Sequence, residues 1–197
     1  MINIAVNYKG VGRDGIAELM AYYNEHCFPL VSAERKYRIQ EGDNWCAMFT
    51  SVMAHMAGVS PQRFPYEVSV YFQAKWAKQR GVFNKSLGLV MPNDLIVYDW
   101  GNNGTLNHVG IVMGVSNGII EVIEGNYLGT VGVRQVSVES RHVHGYISVA
   151  GRENKFEDER IGGLVRDTLA GKFGNGVDRM ERLGDDYWKV QEIINSK

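Results

Sequence analysis

The chain has 197 residues, of which 45% are hydrophobic and 22% charged, with a net charge of -1 and a pI near 6.5. That length and composition suit one ordinary domain plus a small one and are not those of a disordered chain. The near-neutral balance lacks the basic excess of a phosphate-backbone binder, so no nucleic-acid partner is expected.

The opening MINIAVNYKG does not have the basic-then-apolar pattern of a secretory signal, and no run of about 18 apolar residues follows anywhere. The expectation is a protein that neither inserts in a membrane nor is exported by a leader. Cys27 and Cys46 are too few for a disulfide framework. With no C-x-x-C pair and no histidine at ligand spacing around a cysteine, no metal site is expected.

In chain order, GIAELMAYYNEH and NWCAMFTSVMAHMAG place apolar residues three and four apart, and YEVSVYFQAKWAKQRG does so more loosely, which predicts three helices. From residue 94 the period falls to two in DLIVYDW, NHVGIVMGV, GIIEVIEGN, GVRQVSV and HGYISVA, separated by Gly and Asn turns. Helices followed by a mostly antiparallel sheet make an α+β fold rather than alternating βαβ units. GRENKFEDER (151–160) has one apolar residue in ten and reads as a solvated linker, beyond which charge density more than doubles. Residues 1–150 are therefore taken as one domain and 161–197 as a second, with short helices near 161–171, 175–184 and 185–195.

Cys46 follows Asp43 and Asn44, both good N-cap residues, and opens an apolar run ended by Gly58. This seats the thiol in a first helical turn, where free N–H groups and the dipole favour a thiolate and a developing oxyanion. The alternative is a buried structural cysteine, a reading that suits Cys27 better. Among the histidines, His55 lies nine residues beyond Cys46, which at about 100° per residue is the opposite helix face. His26 reads as a residue at a helix end, while His142 and His144 share a strand face and remain competitors.

His108 is favoured by the next strand. Reading Ser116-Asn117-Gly118 as a three-residue loop with Gly118 left-handed makes residue 115 face 119, and so puts His108 opposite Asn126 and Gly110 opposite Glu124. His108, Glu124 and Asn126 then share one face, and Val109, Ile111, Met113, Val115, Ile119 and Ile123 fill the other, leaving the polar set outside the core. A two-residue Asn-Gly turn would shift the register by one and bury Glu124 opposite Ile111 without a partner, at a cost.

At these residues the chain resembles the CHAP branch of the NlpC/P60 and papain-like cysteine peptidases, amidohydrolases of peptidoglycan. NWCAMFTSVMAHMAG resembles the nucleophile helix, PNDLIVYDW the first core strand, NHVGIVMGV the histidine strand and VIEGN the strand of third polar residues, about 100 residues in all. The resemblance implies a papain-like domain with Cys46 as nucleophile, His108 as base and then acid, and Glu124 or Asn126 as the group that orients His108. Some members hold calcium through an acidic loop before the nucleophile; RKYRIQEGD has only Glu41 and Asp43 close together, and no metal is expected.

The tail, with AGKFGNG, DRMERL and DDYWKVQ, resembles the Cpl-7 type cell-wall-binding repeat, which implies Gly174, Asp178, Arg179 and Arg182 as wall contacts. A solvated charged helix face is the other reading of those residues. Trp45, Trp100 and Asn107 are taken as substrate-groove residues. Trp100 has the stronger reason, since it ends a strand beside the GNNGTLN loop that leads to His108, although a lone Trp is commonly packing. No phosphate-loop motif occurs, and no cofactor is expected.

The pairing resembles phage or prophage endolysins of Gram-positive hosts, made in the host cytoplasm and acting on the wall after release. A host wall-remodelling hydrolase, an inactive wall-binding protein and an acyltransferase on the same scaffold are the alternatives.

Overall fold

The computed structural model describes residues 1–31, 35–86, 90–149 and 163–195, and the chain divides into two compact units, Met1–Gly151 and Arg152–Lys197. The linker expected at 151–160 lies outside the described residues. In the first unit α1 (Ile2–Ala5), α2 (Ala17–Tyr22), α3 (Cys46–Met56) and α4 (Val70–Gln79) come first. The strands are β1 (Phe83–Asn84), β2 (Leu95–Tyr98), β3 (His108–Ser116), β4 (Ile119–Tyr127), β5 (Thr130–Ser137) and β6 (Val143–Ile147). They form one antiparallel sheet in the order β1-β6-β2-β3-β4-β5, so the α+β order read from the periodicity is the observed one. The short α1 and β1 carry too few residues for a periodic signal.

Period-two alternation divides the sheet's apolar residues between its faces. Leu95, Val97, Val109, Ile111 and Ile123 join Met48, Phe49, Val52 and Met53 of α3 in the main core. Ile96, Tyr98, Val112, Ile120 and Val122 form a second cluster from the alternate positions. Helix α3 is buried at every residue from Cys46 to Ala54, as a helix apolar nearly all round must be. Gly125 lets β4 approach it closely, because a Cβ there would stand 2.4 Å from Phe49 Cβ and 3.0 Å from the Trp45 ring.

The β3–β4 hairpin departs from the expected turn and reaches the expected register by another route. Asn117 (φ 49°) and Gly118 (φ 75°) form a two-residue turn, with Ser116 paired to Ile119, because two left-handed residues match the twist of the flanking strands. An extra residue between Val112 and Gly114 then bulges β3 and shifts the register by one, so that Ile111 pairs with Ile123. Gly110 accordingly lies beside Glu124, where an added Cβ would stand 2.7 Å from the Glu124 side chain. Two expectations are corrected. Val115 and Ile119, at the hairpin tip, are 42% and 39% exposed rather than core, and Glu124 is wholly buried because its face carries the second apolar cluster.

In the second unit, α5 (163–169), α6 (Gly176–Leu183) and α7 (Tyr187–Asn195) pack around Val165, Leu183 and Val190.

Candidate active site

Cys46 is the first residue of α3, as its apolar run requires, but the expected caps are engaged elsewhere. Trp45 holds the cap position and no side chain caps the turn. Asp43 accepts from the Gln40 N–H at 2.8 Å and the Tyr37 hydroxyl at 3.0 Å, and Asn44 Oδ1 accepts from Asn126 Nδ2 at 3.1 Å. The uncapped first turn therefore leaves the helix's positive end to the thiol.

His108 Nε2 lies 3.0 Å from Glu124 Oε2, in a pair where the His108 side chain is 11% exposed and that of Glu124 0%. The Cys46 thiol is near enough to the imidazole to help hold its proton. With Nε2 committed to Glu124, Nδ1 is the nitrogen left for sulfur. Burial disfavours the imidazolium, but the hydrogen bonds and charges of Cys46 and Glu124 outweigh it and push the His108 pKa up to about 9.

Glu124 is itself clamped by Arg134, whose Nε donates to both carboxylate oxygens at 2.9 and 3.0 Å. The guanidinium is packed between aromatic rings, 4.5 Å from the centre of Tyr127 and 4.6 Å from that of Trp100. A buried carboxylate needs such compensation to stay ionised. The Tyr98 hydroxyl is buried beside the same carboxylate without a hydrogen bond of regular geometry. Burial first, and then Glu124, raise its pKa and keep it a neutral phenol.

Cys46, His108 and Glu124 thus come together, and Asn126 does not join His108. A register shift in β4 between Glu124 and Tyr127, with Asn126 at φ 60°, turns its side chain to Asn44. Trp45 is 0% exposed, so the groove role expected for it is corrected: its ring packs against Gly125 in the core. Trp100 stacks on Tyr98 at 4.6 Å and lies 6.4 Å from the His108 ring. Asn107 Oδ1 accepts from the Trp100 N–H at 3.2 Å, and Asp99 accepts from Gly104 N–H at 2.6 Å, so the loop before His108 is internally braced.

The other histidines are held elsewhere. His55 Nδ1 lies 2.8 Å from the Tyr22 hydroxyl, and His26 stacks on His55 at 6.1 Å. His142 bonds Asn102 at 3.1 Å, and a bulge in β6 separates it from His144, which lies against Phe83, so the two do not share a regular strand face.

Arg134 was not singled out by the sequence reading. Its signal was the register of the short hairpin over Tyr127–Thr130, which pairs Glu124 with Gly132 and so makes Arg134 a diagonal neighbour of Glu124.

Residues 37–126 match the CHAP domain family and residues 163–197 the CW_7 repeat family. The chain carries a CHAP domain and a CW_7 repeat. The pair makes it a peptidoglycan hydrolase with a cell-wall-binding module. No curated protein matches the chain. The CHAP match encloses Cys46, His108 and Glu124 and ends before Arg134.

Within the CW_7 repeat, Gly174, Asp178, Arg179 and Arg182 lie around one turn. Arg179 donates to the Gly174 carbonyl (3.1 Å), Asn175 Oδ1 (2.9 Å) and Gln191 Oε1 (3.3 Å), and Arg182 to the Lys172 carbonyl (3.4 Å). Both arginines brace the turn, whereas Asp178 is exposed at its side.

Proposed function

We propose that this hydrolase cuts amide bonds of Gram-positive peptidoglycan with Cys46 as nucleophile, as an endopeptidase or an N-acetylmuramoyl-L-alanine amidase. The observation that carries the reading is the Cys46 thiol at the head of α3 near an imidazole that is held by a buried carboxylate, itself clamped by a guanidinium. The thiolate attacks the scissile carbonyl carbon while the oxyanion forms at the uncapped turn of α3. His108 gives its proton to the departing amine, leaving a thioester. It then takes a proton from water, whose oxygen adds to the thioester and expels the thiolate as the free acid forms. Glu124 holds the ring for both transfers and offsets its charge, and Arg134 fixes Glu124.

The deciding experiment is mass spectrometry of fragments released from purified Gram-positive walls by the wild type and by Cys46→Ala. A new amino terminus that appears only with the wild type names the bond, and equal release by both proteins rejects the mechanism. We further propose that the protein acts as a phage or prophage endolysin, made in the host cytoplasm and reaching the wall after release; the support is a wall hydrolase joined to a wall-binding repeat. Its test is expression in a Gram-positive host, where lysis should wait for co-expression of a membrane-permeabilising protein.

A further inference from the structure

A hollow of about 460 Å³ is bordered by Arg35, Glu67, Phe72, Lys75, Trp76 and Arg80. That volume falls in the range of sites that enclose small ligands. Its cations are held over aromatic rings: Arg35 lies 4.1 Å from the centre of Phe72, Lys75 5.9 Å from the same ring, and Arg80 5.0 Å from Trp76. Glu67 is buried and already faces Arg35 at 3.3 Å. Lys75 and Arg80 are exposed and have no carboxylate partner among the described residues. The hollow therefore presents two cations without a carboxylate partner among the described residues, beside an indole ring.

Its position ties it to the catalytic pair from two sides. Arg35 also borders a smaller hollow of about 150 Å³ that reaches Asn44, two residues before Cys46. Lys75 and Gln79 border another, of about 190 Å³, that reaches Leu106, two residues before His108. The hollow thus shares its borders with the segments that lead into Cys46 and into His108.

We propose that this hollow is a subsite for the uncleaved part of the substrate, where Lys75 and Arg80 pair with free carboxylates of the peptidoglycan stem peptide and Trp76 packs on its aliphatic portion. The assignment rests on the reading of the chain as a cysteine hydrolase of peptidoglycan amide bonds. The stem peptide suits the site because it joins carboxylates to short aliphatic side chains. Amidation of a stem carboxylate removes the charge that the ammonium and guanidinium recognise, so the site selects the free acid over the carboxamide.

The test uses the full chain carrying Cys46→Ala, and a disaccharide tetrapeptide from peptidoglycan prepared in free-acid and carboxamide forms, with Kd read by calorimetry. The free acid should bind about tenfold tighter, the size expected of a partly exposed charge-assisted contact. Adding K75Q and R80Q, both exposed positions, should bring the free acid to the Kd of the carboxamide. Equal binding of the two forms, or a preference that survives K75Q/R80Q, would overturn the subsite. Wall hydrolysis by the wild type and by Cys46→Ala is scored alongside. Turnover that needs Cys46 but shows no acid preference in binding removes the subsite alone, and acid preference with turnover that ignores Cys46 removes the mechanism alone.

Discussion

Cys27 and Cys46 are nearly equally buried, at 0% and 4% exposure, and both sit on helical backbone of the same unit. Cys27 ends the π-helical turn Tyr23–Cys27, and its thiol donates to the Ser51 carbonyl at 3.9 Å. Burial pushes its pKa up to about 12, so it stays a thiol at physiological pH. Cys46 opens a helix instead of closing one and lies near an imidazole whose own pKa is pushed up to about 9. Burial alone does not separate an inert thiol from a reactive one. What separates them is which end of the helix the sulfur occupies and whether a proton acceptor shares its pocket.

The largest effect should come from removing that difference. Cys46→Ala should lower wall lysis at least about a thousandfold, the scale on which losing a nucleophile acts, while leaving wall binding and the melting temperature close to wild type. Turbidity of Gram-positive cell walls and a pull-down on the same walls read both quantities. Full lysis by the variant would remove any distinction between the two thiols.

Glu124→Gln should make the surroundings of Cys46 more like those of Cys27, with a loss of about a hundredfold in kcat. Without the carboxylate, burial weighs more heavily on His108, and its pKa falls from about 9 toward the ordinary histidine value. The alkaline limb of the rate profile should therefore move to lower pH. The same shift governs stability. The folded-state pKa lies above the unfolded one, so the His108 contribution is fully present below about pH 6.5 and is lost as pH rises through about 9. The wild-type melting temperature should fall across that window, and the fall should be smaller in Glu124→Gln.

Arg134→Gln should act in the opposite sense on pH and more weakly on rate. Glu124 is then a buried carboxylate whose remaining charge partner is His108, so the imidazolium is held more firmly and the alkaline limb moves to higher pH. Loss of the clamp should cost about tenfold in kcat with KM little changed, as for a group that positions another. A shift to lower pH would show that Arg134 does not act through Glu124.

Much of this site was legible because its parts are local. The strand alternation and the place of Cys46 at the head of an apolar helix are short-range patterns, and both are observed. The placing of His108 on one face with Glu124 and Asn126 follows from a three-residue loop, but the chain uses the two-residue Asn117-Gly118 turn and a bulge after Val112. Two one-residue departures cancel, so the His108 end keeps its register. Bulges leave no mark in a period-two pattern, which is why Asn126 and His144 were misplaced. Trp45 was misread because an aromatic next to a nucleophile fits a groove or a core equally well until its neighbours are known, and here Gly125 and Phe49 claim it. Arg134 depended on the register of a further hairpin.

The smallest effect should belong to Cys27→Ala, and it bears on whether the two thiols are independent. Cys27 lies in the main core and touches α3 through the Ser51 carbonyl, in the middle of the helix whose first residue is Cys46. Truncating the side chain removes one sulfur and leaves a small gap, which at about 1 kcal/mol should lower the melting temperature by roughly 2–4 °C in a unit of this size. The gap opens near the middle of α3, while the first turn is fixed separately by the contact of Gly125 with Phe49 and Trp45. Wall lysis measured well below the melting temperature should therefore stay within about twofold of wild type. Iodoacetamide supplies the complementary measurement: at neutral pH it should modify one residue per wild-type chain, and peptide mapping should place the adduct on Cys46. A tenfold loss of lysis in Cys27→Ala with the fold intact, or an adduct on Cys27, would mean that the π-helical turn helps to set the geometry of the first turn of α3.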